Sequence, residues 1–74
     1  MKGERIMGDI YRHYKGGIYN VIGTGKHTET LEEFVIYEGT KGDLWIRPVK
    51  MFFEDVEING LKVRRFEHLG KFSK

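Results

Sequence analysis

The chain has no cysteine, no alanine and no glutamine, one proline, and no long apolar run. Without cysteine there can be no disulfide and no thiolate metal site. A membrane-spanning helix would need roughly 18 consecutive apolar residues, so no membrane partner is expected. The opening MKGERIMGDI lacks the apolar middle of a signal peptide, which predicts a cytoplasmic protein. Alanine and glutamine are good helix formers. In their place Val, Ile, Tyr, Phe, Trp and Thr supply 26 of the 74 residues, the types that suit a pleated surface. A charge excess of one sign is missing too: 13 basic against 11 acidic residues leave +2. Dedicated nucleic-acid binders carry a stronger basic face. Only residues 62–74 lean basic, with Lys62, Arg64, Arg65, Lys71 and Lys74 against Glu67, five minus one.

At 74 residues the chain makes one domain with a thin core, which leaves little room for a deep, dry active site. The pattern predicts a flexible N-terminal arm over residues 1–9, a single β domain over 10–68 and a basic C-terminal tail over 69–74. Tyr11 to Lys15 reads as a strand, Gly16-Gly17 as a two-residue type I′ turn, and Ile18 to Gly23 as the returning strand. That turn would set Tyr14 opposite Tyr19, His13 opposite Asn20 and Arg12 opposite Val21. Thr30 to Glu33 has the form of a capping box, residues 33–38 read as a strand, and Glu38 to Asp43 is turn chemistry. Leu44 to Arg47 is a strand with Leu44 and Ile46 on one face and Trp45 and Arg47 on the other, ended by Pro48. One helical turn over Pro48 to Phe53 precedes a hairpin centred on Asn59-Gly60. There Val56 meets Val63, and Glu57 meets Lys62 with opposite charge. Val21, Ile36, Ile46 and Phe52 are the expected core, joined by Ile22 and Val56. The fold class predicted is all-β: a small SH3-like barrel of five or six short antiparallel strands with one short helical turn. An OB-like barrel is the alternative and normally needs more residues.

The segments "YRHYKGGIYNVIG", "KHTETLE", "FVIY", "LWIRPVKMFFE" and the closing "RF" resemble a family of short bacterial domains of unknown function. The resemblance runs from about Tyr11 to Phe66. Two positions depart from it: Thr28 stands where serine is usual, and Arg64 where proline is common. It implies an uncharacterised cytoplasmic domain and brings no activity with it.

His13, His27 and His68 are the only histidines. His13, His27 and Glu29 could form a two-histidine, one-carboxylate metal site, although no spacing forces them together. The plainer reading is that His27 and Glu29 hydrogen-bond within their loop. Thr28 and Thr30 lack an evident activating base, and "GTGKHT" lacks the spacing of a phosphate loop. Trp45 and Arg47 share a strand face: buried, the tryptophan is core; exposed, the pair suits stacking and anion binding. The candidate binding residues are Arg12, His13, His27, Thr28, Glu29, Trp45 and Arg47. His13 is expected beside the His27 loop, with Arg47 reaching Glu29. The first functional reading is a non-catalytic binding module for a peptide, a protein segment or a small anionic ligand, with no cofactor. The alternatives are a nucleic-acid-binding module and a metal-assisted or acid–base enzyme using His13, His27 and Glu29.

Overall fold

A computed structural model of the chain describes residues 8–71. In chain order the elements are β1 (Asp9–His13), β2 (Ile18–Lys26), β3 (Glu33–Glu38), β4 (Leu44–Pro48), α1 (Val49–Phe52), β5 (Asp55–Ile58), β6 (Leu61–Arg64) and β7 (Phe66–Lys71). Five strands form one antiparallel sheet in the order β4-β3-β2-β1-β7, and β5 and β6 pair as a separate hairpin. The fold is all-β, in two sheets with one short helix. The expected barrel is not closed: β4 and β7 are the two edges of the larger sheet, and no ladder joins them among the described residues. Bulges between Val21 and Gly23 and between Ile10 and Tyr11 bend and twist the sheet locally. No helix of the described residues is long and apolar enough to cross a membrane.

The core lies on one face of this sheet. Tyr11, Val21, Val35 and Tyr37 point inward, and Phe52 of α1 and Phe66 of β7 complete the cluster. Phe52 and Phe66 stack at 4.1 Å, and Tyr11 and Tyr37 meet Phe52 edge-on at 5.1 and 5.5 Å. These are favoured aromatic arrangements. Burial, and then the charge of Asp9, raise the Tyr11 phenol above its usual range, with Arg64 opposing. Of the expected core, Val21 and Phe52 are buried, Ile36 and Val56 are half-buried, and Ile22 and Ile46 are exposed. The faces of β4 are the reverse of those expected. Val35 pairs with Arg47 and Tyr37 with Trp45, so Trp45 and Arg47 share the inner face. Ile46 lies on the outer face and is 63% exposed.

The β5–β6 hairpin forms as its sequence predicts, with Val56 opposite Val63 and Glu57 opposite Lys62. Asn59 and Gly60 both take positive φ, as a type I′ turn requires. The β1–β2 turn does not follow its sequence signal. Gly16 has φ 110°, but Gly17 is not in the left-handed region, so a type I′ turn cannot form. The connection spans four residues, with the Gly17 carbonyl accepting from the His13 amide at 2.7 Å. The register becomes Tyr11 opposite Tyr19 and Arg12 opposite Ile18. Gly17 is needed for a different reason: a Cβ there would lie 2.9 Å from the Tyr19 ring.

β7 is a strand where the sequence suggested the end of the domain and a tail, since it runs through Lys71 and pairs with β1. Asp9, expected in the arm, opens β1. Its buried carboxylate accepts from His68 Nε2 at 2.9 Å and from Lys71 Nζ at 2.9 Å. Residues 1–7 of the expected arm and 72–74 of the expected tail lie outside the described residues.

Candidate functional site

Strand pairing places His13 beside Phe66 in the β1–β7 ladder. The His13 ring lies 5.0 Å from Phe66 and 4.6 Å from Tyr14. Its Nδ1 accepts the Lys15 amide proton at 3.1 Å, so in the neutral ring the proton sits on Nε2. Arg47 enters from β4. Its Nε donates to the Tyr37 hydroxyl at 3.3 Å, and its guanidinium lies 5.7 Å from the Phe66 ring centre. Arg65 directly precedes Phe66, and its carbonyl accepts from the Tyr14 amide at 2.9 Å. His13 from β1 and Arg47 from β4 thus both approach the one buried Phe66 ring, the first edge-on and the second over its face.

The electrostatics of this cluster are one-sided. Burial lowers the His13 pKa below its usual value, and Arg47, Arg65 and Lys15 lower it further. No carboxylate offsets them. Arg12 pairs with Glu67 at 2.7 Å, and Arg64 lies 3.6 Å from Asp55. Among the described residues, Arg47 and Arg65 have no carboxylate at ion-pair distance. The Nε of Arg65 is buried without a hydrogen-bond acceptor. Partly desolvated cations without a counter-ion are costly, and an orphaned buried donor calls for a water or an ion.

Beside this cluster an open cavity of about 740 Å³ is lined by Arg12, His13, Tyr14 and Lys15 on one side and by Ile58 and Val63 of the hairpin on the other. Trp45 faces inward beside Tyr37 yet is 49% exposed.

The remaining candidate residues lie elsewhere. His27, Thr28 and Glu29 occupy the β2–β3 turn. β2 runs from Ile18 to Lys26, so at about 3.3 Å per residue this turn is roughly 25 Å along the sheet from the His13 end. The expected approach of His13 to the His27 loop does not occur. Arg47 contacts Tyr37 and Phe66 and makes no ion pair with Glu29. No group of three potential metal ligands exists among the described residues. His27 instead shapes its own turn: its Nδ1 accepts from the Glu29 and Thr30 amides at 3.1 and 3.3 Å. Thr30 Oγ1 accepts from the Glu32 amide at 3.2 Å, which takes the place of the expected capping box. The site residues that sequence reasoning missed are Arg65 and Phe66. The Arg65 amide donates to the Glu54 carbonyl at 3.1 Å, and the Arg65 side chain forms no ion pair among the described residues.

The fold matches a crystal structure of a DUF1653 protein from Bordetella bronchiseptica, with TM-score 0.80 and 25% identity over 99% of both chains. No curated protein matches the chain significantly. The sequence profile of the family described as a protein of unknown function (DUF1653) matches residues 9–68, which include β1 to β6 and the candidate site. The chain belongs to the DUF1653 family.

Proposed function

We propose that the domain is a non-catalytic binding module whose ligand carries an anionic group, held by Arg47 and Arg65 with His13 beside them. One observation carries this reading: Arg47 and Arg65 are half-buried, their charges act on His13, and neither has a carboxylate partner among the described residues. Arginine presents planar donors suited to carboxylate and phosphate. The Arg47 Nε is already fixed by Tyr37, so its terminal nitrogens are oriented before any ligand arrives, which lowers the ordering cost of binding. Neutral His13 adds an Nε2 proton that can be donated.

Two-dimensional amide NMR with added inorganic phosphate tests the reading. Shifts are expected at His13, Arg47, Arg65 and Phe66, with none in the His27–Glu29 turn, and Arg47→Gln should remove them. Shifts confined to other basic residues, or none at all, would refute it.

A further inference from the structure

Trp45 stands two residues before Arg47 on the inner face of β4, opposite Tyr37. A second cavity, of about 190 Å³, opens here between Trp45 and Tyr19, with Gly17, Gly39, Lys41 and Asp43 on its walls. Glycine at position 39 keeps the slot open. A Cβ there would lie 3.0 Å from Asp43 Oδ1, 3.5 Å from Tyr19 Cε1 and 3.7 Å from Trp45 Nε1. Asp43 forms no ion pair among the described residues, so its carboxylate is available to accept hydrogen bonds. The slot adjoins the cation cluster. Tyr19 lies 5.2 Å from Tyr37 and 5.9 Å from Phe66, the two rings that Arg47 touches.

An aromatic slot, an isolated acceptor and an unpaired guanidinium thus follow one another along a single face. An extended acidic peptide fills the slot only where an aromatic side chain happens to stand beside its charge, whereas a nucleotide carries both in one molecule. Simple phosphates and carboxylates would leave the slot and Asp43 unused. Resting on the anion-binding reading above, we propose that the ligand is a nucleoside monophosphate. Its base stacks on Trp45 and Tyr19, its N–H or O–H groups donate to Asp43, and its phosphate is held by Arg47 and the His13 Nε2 proton. Base–aromatic stacking of this kind tolerates any base, so the site is expected to discriminate weakly among nucleobases.

Trp45 is the only tryptophan, so its fluorescence reports the slot directly. The full chain is titrated with adenosine monophosphate, ribose phosphate, inorganic phosphate and a short single-stranded oligonucleotide. Affinities of the Arg47→Gln and Trp45→Ala variants are measured by amide NMR. Adenosine monophosphate should quench Trp45 and bind more tightly than ribose phosphate. Trp45→Ala should weaken nucleotide binding by about 5- to 150-fold, the usual range for one stacked base, and leave phosphate binding in place. Arg47→Gln should weaken every phosphate ligand. If ribose phosphate binds as tightly as the nucleotide and Trp45 does not respond, the nucleotide proposal is overturned while anion binding stands. If none of the phosphate ligands reaches the Arg47 cluster, anion binding itself fails. Oligonucleotide affinity far above that of the mononucleotide would reassign the site to a nucleic-acid strand and overturn the proposal.

Discussion

The Lys15 amide donates to His13 Nδ1, and burial together with Arg47, Arg65 and Lys15 holds the imidazolium form below its ordinary pKa. The sign of the linkage follows. Unfolded His13 takes up its proton near pH 6.5, whereas folded His13 does so only at lower pH. Between those values the unfolded chain binds more protons, so stability rises with pH. The wild type should therefore lose more stability than His13→Gln as pH falls below about 6.5, measured as the difference between their denaturation midpoints. Parallel pH profiles for the two proteins would contradict the assignment. Arg47→Gln removes one of the cations acting on the ring, so the His13 pKa, followed by NMR, should move upward. Gly17 supplies a packing test. Its missing Cβ would sit 2.9 Å from the Tyr19 ring, which is itself held edge-on by Tyr37 and Phe66. Gly17→Ala should cost ~1–3 kcal/mol by overpacking, and an unchanged urea midpoint would show that Tyr19 can move aside.

The hairpin of β5 and β6 was legible because two independent signals agree there: Asn59-Gly60 sets the turn, and opposite charges face each other across it. Gly60→Val should cost more than ~1 kcal/mol, since a β-branched residue is strained at positive φ. A wild-type melting curve would refute the turn. β4 was misread because "LWIRP" offers a large apolar residue to each face, so alternation alone does not say which face is buried. The deciding partner is β3, whose Val35 and Tyr37 are buried. Ile46→Ala should accordingly cost less than ~1 kcal/mol, whereas Phe52→Ala should cost ~3–5 kcal/mol; equal costs would restore the opposite facing. β7 escaped notice because "FEHLGK" has few β formers. Its place is fixed by a partner at the other end of the chain: Asp9, whose carboxylate binds His68 and Lys71. The β1–β2 register was missed because Gly16 and Gly17 serve different needs, one of backbone angle and one of space.

At the scale of the whole molecule, the stability of a 74-residue chain is expected to be about 4–11 kcal/mol. Against that margin even one bound ligand is a measurable stabilisation of the folded state. Ligand at 100 times its Kd adds about 2.7 kcal/mol. Phosphate should therefore raise the melting temperature above that in chloride of equal ionic strength, and Arg47→Gln should lose the difference. The sequence pointed to His13, and to Trp45 with Arg47 on one strand face. It could not show that His13 joins them, because that depends on the β3–β4 register and on where Phe66 returns in β7. It also joined His13 to His27, which the length of β2 keeps apart. The central claim is that an anion binds beside His13 among cations that otherwise have no counter-ion. Its most direct test is the His13 pKa, followed by NMR with and without inorganic phosphate at constant ionic strength. Binding should favour the imidazolium and raise that pKa, and Arg47→Gln should abolish the rise. A His13 pKa unchanged by phosphate, or a rise that persists in Arg47→Gln, would contradict the claim.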